Sequence, residues 1–445
     1  MLTGFIQAFR TPDLRKKLLF TLGIIALFRF GSALPAPGIS ASAVRYCSGL
    51  EASRGPAANV FAVINLFSGN SLLHVTVFAL GIMPYITASI IVQLLTQVIP
   101  RLQALKDEGR AGQAKITQYT RYLTVGLAVM VSVGYVALAR SGSLFPGTDC
   151  SATNHPLIPH PSPLTIATMM FTMVSGTAVI MWMGELVTDR GIGNGMSVMI
   201  FTSVIAVIPG EFGQIYLVKG LRLTLMTLTV VVALVGFVVF MEQAQRRIRV
   251  QYARRQPGQH QLGRRQPGVT STYIPVKVNQ AGVVPVIFAS SLLYLPQLAA
   301  PLLGAGRLQG WVDRYLTPSV TVFPVYYLAF FGLIIAFAYF YTSITFNPVE
   351  VADNMKQYGG FVPGLRPGRP TAGYLGYVLT RLTAAGSVYL AAIAMFPLVA
   401  LAKLGVSSQV QFSGVSLLIM VGVGLDTVKQ IESQLRQHNY AGFLR

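Results

Sequence analysis

Charge is scarce in this chain, and acidic charge scarcest. Only 11% of the 445 residues are charged and 53% are hydrophobic, against a charged share of about 25% in ordinary soluble domains. With a mean hydropathy of +0.58, a soluble class is excluded and a polytopic membrane protein is expected. The chain has 14 acidic against 34 basic residues, a net charge of +20. Glu185, Asp189, Glu350, Asp353 and Asp426 all fall at or near the ends of apolar runs. No carboxylate is thus expected at membrane depth, where ion-coupled transporters and proton relays place theirs. HExxH and P-loop motifs are both missing, which leaves no signature of metalloprotease or nucleotide chemistry. His155 and His160 share a Pro-rich loop without a third donor, so they make a weak metal site, and loop filling is the better reading. No enzyme activity, cofactor or metal is expected. Arg15, Lys16 and Lys17 precede a long apolar run, but no small-residue cleavage site with a soluble domain follows, so the first segment is expected to remain as a helix.

What the chain has instead is apolar length. Runs near 18–36, 75–99, 119–139, 164–184, 195–215, 221–241, 280–303, 323–346, 380–402 and 413–431 predict about ten spans of roughly 20 residues each. Placing the N-terminus in the cytoplasm puts most of the 34 lysines and arginines on that side, with Arg29 inside the first span. An even number of spans returns the C-terminus to the cytoplasm. Dividing the chain at 1–219 and 220–445 gives two five-helix halves of opposite orientation, the arithmetic of an inverted repeat, although no repeat shows at residue level.

The most unusual run is Val77 to Leu95, VFALGIMPYITASIIVQLL, an uncharged stretch predicted to form a membrane helix with Gly81 and Pro84 near its outer end. Ile82, Ile86, Ser89 and Gln93 recur on one face, aliphatic outside and polar inside, which suits protein or water better than lipid. The preceding FAVINLFSGNSLLH, 61–74, is apolar but too short to cross, so it reads as a re-entrant half-helix or an interfacial amphipathic helix. After the fourth span, RGIGNG at 190–195 has neither the strand nor the lysine of a phosphate-binding loop; its glycines are read as close-packing residues at a helix start. Met196, Ile200 and Ser203 then repeat the aliphatic-to-polar face. Span seven carries Asn279 and Gln280 near its cytoplasmic end and is interrupted by Pro285; Ile287 and, in span ten, Ile419 stand near mid-depth.

Two loops concentrate the basic charge. In 242–279, eight lysines and arginines face only Glu242, and RRQPG occurs at 254–258 and again at 264–268. Paired Pro-Gly turns suggest a hairpin-like protrusion whose arginines exceed what membrane topology needs and suit RNA phosphates or an acidic protein surface. In 347–381, Arg366 stands between turn-forming residues, where a guanidinium is held outward. The only cysteines, Cys47 and Cys150, both fall in predicted outer loops, where a disulfide is permitted and two free thiols are the alternative.

FALGIMPYITASIIVQLL and RGIGNG, with FNP at 346–348, FVPGLRPG at 361–368 and SLLI at 416–419, resemble the SecY family, the central subunit of the protein-translocation channel, nearly end to end. The resemblance implies an all-α polytopic fold with a plug at 61–74 and a bacterial plasma-membrane location. It implies a pore ring of Ile82, Ile86, Met196, Ile200, Ile287 and Ile419, and a plug that includes Phe61, Asn65, Phe67, Ser68 and Gly69. Thr87, Gln93 and Asn279 match lateral-gate positions, and Arg254, Arg255, Arg264, Arg265 and Arg366 match docking positions for the SecA motor and for ribosomal RNA. SecE-like and SecG-like membrane subunits, unfolded preproteins, signal sequences and the lipid bilayer are the other implied partners. A secondary transporter is the competing class, with Arg29 its only mid-membrane candidate; an intramembrane protease would need a catalytic motif that is missing.

Overall fold

The fold was taken from a computed structural model, which describes residues 9, 11–44, 46–47, 68–69, 71, 74–141, 157–159, 161–253, 269–302, 310–312, 315–316, 325–403 and 414–442. Phe61, Asn65, Phe67, Arg254, Arg255, Arg264, Arg265, Cys150, His155 and His160 lie outside the described residues. The helices are α1 Pro12–Ala33, α2 Met83–Val98, α3 Pro100–Asp107, α4 Arg110–Ser141, α5 Pro163–Arg190, α6 Gly195–Gln243, α7 Val284–Leu302, α8 Val325–Thr345, α9 Pro348–Gln357, α10 Arg369–Lys403 and α11 Gly414–Gly442. Among the described residues, 7 helical stretches are long and apolar enough to cross a membrane, or 8 when the bent pair α2 and α3 is one span. Helices α1 and α7, of 22 and 19 residues, fill the two remaining expected positions.

Local chemistry explains most boundaries. Helix α5 starts on Ser162, whose hydroxyl accepts from the Thr165 amide, with Pro163 in the first turn where its missing N–H costs nothing. Helix α9 repeats this pattern with Asn347 and Pro348. Ile99, preceding Pro100, is extended (φ −98°, ψ 111°), and the chain bends by 100° between α2 and α3. Helix α6 is one continuous run of 49 residues except at Gly220, whose φ of 79° breaks it between the expected fifth and sixth spans. The helix predicted over Val77–Leu95 starts later. Val77 to Ile82 forms turns, with Gly81 at φ 58°, and the helix begins at Met83 with Pro84 in its first turn. A proline can open a helix but not sit inside one without loss of a hydrogen bond. These turns fit tightly, because a Cβ on Gly176 of α5 would collide with the Val77 carbonyl.

Beside the helices of this all-α membrane fold stands one small sheet. Strands β1 Gln245–Ala253 and β2 Val269–Lys277 form an antiparallel hairpin, and β3 Gly360–Phe361 pairs with the outer edge of β1 at Tyr252 and Gln251, giving the order β2-β1-β3. The alternation that makes β1 a strand is plain: Ile248 and Val250 are buried while Arg247 and Arg249 are exposed. With Val276 the buried pair packs on Met355 of α9 and Leu375, Val378 and Leu379 of α10, so both basic loops share one small core.

Candidate functional site: an aliphatic constriction

The ring candidates come from four helices, and each stands at the N-cap or within the first two turns of its own. Ile82 caps α2 and Ile86 follows one turn on; Met196 and Ile200 are on α6, Ile287 on α7 and Ile419 on α11. Ile82, Ile86, Ile200, Ile287 and Ile419 are 2%, 9%, 6%, 7% and 1% exposed and belong to one continuous apolar cluster. Met196 is half-buried against it, its sulfur seated over Gly184 of α5. The glycines of RGIGNG bring this about. A Cβ on Gly195 would collide with the Gly184 carbonyl oxygen, and the Gly195 amide donates to the Thr188 hydroxyl at 2.9 Å, closing α6 onto α5. A collar of aliphatic side chains wets poorly and blocks ions without a charged filter.

Of the plug candidates, Ser68 and Gly69 are described, and both are buried. Gly69 takes a left-handed φ of 66°, and its Cβ position lies 3.3 Å from Cα of Ser203, one turn beyond Ile200. Arg29 Nη1 donates to the Gly69 carbonyl at 3.2 Å. The lone cation of the first span, read above as the sole transporter candidate, thus holds the Gly69 backbone, which lies against Ser203 of α6. Its signal in the sequence was its isolation in an apolar run; its partner, 40 residues on, left none.

The gate candidates are placed in three different ways. Helix α7 packs against α2 and α4, but the Thr87 hydroxyl donates to the Met83 carbonyl of its own helix at 3.0 Å, as helical threonines commonly do. Gln93 is exposed, so of the two readings of its face, protein or water, it is not covered by this chain's own residues. Asn279 is buried and its side-chain amide donates to Glu242 Oε1 at 2.5 Å. Asn279 precedes α7 and turns toward the end of α6.

At the hairpin face, Arg366 is exposed in a turn shaped by Gly364 (φ 86°) and Gly368 (φ 105°), and its carbonyl accepts from the Thr371 hydroxyl at 2.9 Å. An open cavity of about 420 Å³ lies between the start of α6 and α11, lined by Asn194, Ser197, Asp426, Lys429 and Gln430 among others. Arg121 on α4 makes a two-pronged ion pair with Glu185 on α5, at 2.9 and 2.6 Å, which sequence reasoning missed because the partners are 64 residues apart. Cys47 is fully buried and disulfide-bonded; the chain's other cysteine is Cys150. Among the described residues, no three His, Cys, Asp or Glu side chains group as a metal site would need.

Known proteins resemble this chain in sequence and in fold. The SecY family model matches residues 76–428. The protein translocase subunit SecY of Streptomyces scabiei is 56% identical over 450 residues, and that of Mycobacterium tuberculosis strain H37Rv is 54% identical over 457, each spanning all of both chains. Among solved structures, a protein-conducting channel superimposes with a TM-score of 0.64 at 17% identity, covering 94% of this chain and 91% of that one. Sec61 in a canine ribosome-channel complex superimposes with a TM-score of 0.61 at 18% identity, with the same coverage. At these identities the structural likeness speaks for the fold, while the full-length relatives speak for the family: the chain belongs to the SecY family.

Proposed function

We propose that this chain is the protein-conducting channel of a preprotein translocase, with the aliphatic constriction as its seal. The observation that carries the reading is that five isoleucines from four separate helices meet in one buried cluster beside the plug residue Gly69. An extended polypeptide entering there would part branched side chains that close again behind it. Met196, a flexible thioether half-buried at the edge, yields more easily than a branched side chain. Nothing in the constriction carries out chemistry, so a partner supplies the work.

The finer assignments rest on the same reading. The hairpin face is the cytoplasmic one, with both termini on it, because Arg246, Arg247 and Arg249 crowd the stem of the hairpin and Arg366 stands exposed beside it. This face docks a SecA-type motor or a ribosome; Sec61, a neighbour in fold, is known in a ribosome-channel complex. The break at Gly220 marks the seam between two inverted halves, 1–219 and 220–445. SecE-like and SecG-like subunits cover exposed apolar residues such as Leu221, Leu225 and Phe240 in the part of α6 after Gly220. Signal sequences and membrane segments leave toward lipid between the pair α2 and α4 and the pair α7 and α8.

The test is reconstitution of the full chain with its membrane subunits into vesicles. Protease-protected uptake of an unfolded preprotein, dependent on an added motor and ATP, is expected. Uptake of a small solute coupled to an ion gradient, with no preprotein uptake, would overturn the reading in favour of a transporter.

A further inference from the structure

The base of the hairpin is tied in three ways, two of them through side chains. The stem closes with the register pair Gln245 and Lys277, and the Val278 amide donates to the Ala244 carbonyl at 3.0 Å. One residue further on, Asn279 bonds Glu242, a buried amide on a buried carboxylate. Lys277 Nζ lies 3.6 Å from Asp426 Oδ1 on α11, with Lys429 also within electrostatic reach of Glu242. Helix α10 closes over this junction: Gly386 has no side chain where a Cβ would collide with the Val278 carbonyl. The sheet also includes β3, which runs straight into the Arg366 turn. The Arg366 turn is thus coupled to the junction through the sheet, which β3 joins at Gln251 and Tyr252, six residues along β1 from Gln245.

From that junction two helices lead to the constriction. Asn279 stands eight residues before Ile287 on the lead-in to α7. Asp426 is seven residues beyond Ile419 on α11, two turns along the same face and about 10 Å away at 1.5 Å per residue. We propose that Lys277, Asp426, Glu242 and Asn279 are positioning residues that hold α7 and α11 at the spacing of the closed constriction, and that a partner on the basic loops opens the channel by moving this junction. The inference rests on the reading of the isoleucines as the seal.

A buried Asn–Glu bond resists rupture, because breaking it strands a carboxylate away from water. The Lys277–Asp426 pair is the element suited to exchange, since its side chains are 41% and 64% exposed and can re-pair with solvent or a docked surface at little cost. The buried bond thus keeps the junction in register while the exposed pair sets its angle to α11.

The test uses the full chain with its membrane subunits in planar bilayers and compares Lys277→Gln, Asp426→Asn, the exchanged pair Lys277→Asp with Asp426→Lys, and Ile419→Ser. The expected result is a resting ion leak about threefold to fivefold higher in each single variant. The exchanged pair should bring the leak back toward native, and preproteins with weak signal sequences should pass more readily through the single variants. Loss of fold alone would lower the amount of channel without this rescue. If Ile419→Ser leaks while neither single variant does, or if the exchanged pair leaks as much as the singles, the positioning role is overturned and the seal stands. If Ile419→Ser does not leak, the seal itself falls and the inference with it.

Discussion

Gly69→Ala is expected to loosen the plug by an amount that the backbone geometry sets. Gly69 has φ 66°, a left-handed conformation in which a Cβ crowds the following carbonyl and costs about 1–2 kcal/mol. The added methyl would also stand 3.2 Å from Arg29 Nη1 and 3.3 Å from Cα of Ser203. The arginine can shift, at the expense of its bond to the Gly69 carbonyl, but the α6 backbone cannot. Taking about 2 kcal/mol for strain and crowding together, the docked state should lose about 30-fold against the undocked one. Ion conductance of resting channels in bilayers, counted per channel, measures that ratio directly. Gly69→Asn should fall between native and Ala, because asparagine tolerates the left-handed region. A resting conductance in Gly69→Ala equal to native would refute the reasoning. Equal leaks from Ala and Asn would assign the effect to crowding rather than to φ.

Three further outcomes are expected. Arg29→Met keeps the apolar length of the side chain but removes the donor to the Gly69 carbonyl; one partly exposed charged hydrogen bond is worth about 1 kcal/mol, so resting leak should rise about fivefold, and an unchanged leak would show that the bond does not hold the plug. Arg121→Leu and Glu185→Leu remove the two-pronged pair between α4 and α5, in which Arg121 is half exposed; a double-mutant cycle on thermal unfolding in detergent should give a coupling of about 1 kcal/mol or less, and a coupling near zero would make the pair incidental. Cys47, buried and disulfide-bonded, should resist maleimide in the denatured but unreduced chain and react after reduction, with a Cys47–Cys150 peptide found by mass spectrometry; free reaction before reduction would contradict the bond.

The fold was legible where hydrophobic length and turn chemistry act locally. The spans near 164–184 and 323–346 correspond to α5 and α8, and RGIGNG reads correctly as a close-packed helix start. The hairpin was visible as two Pro-Gly turns in a basic loop, but its strands and the third strand Gly360–Phe361 were not, because a two-residue edge strand carries no periodicity of its own. The start of α2 was misplaced by six residues, since Val77 to Ile82 is as apolar as the helix it precedes and only the left-handed Gly81 separates them. The six ring candidates came from the family pattern, and the pairs Ile82 with Ile86 and Met196 with Ile200 also show in aliphatic spacing. Their tertiary partners could not. Thr87 satisfies itself on Met83, whereas Asn279 finds Glu242 and Arg29 finds Gly69 across 37 and 40 residues, pairings that only the folded chain brings within reach.

The most direct test of the central claim is site-specific photocrosslinking to a secretory chain stalled in transit. The probe is placed in turn at Ile86, Ile200, Ile287 and Ile419, and at Leu225 on the exposed side of α6 as a control. Capture at all four constriction positions only while the chain is in transit, with none at Leu225, is the predicted result. Capture at Leu225 but at none of the four would contradict the account, because the polypeptide would then cross outside the constriction.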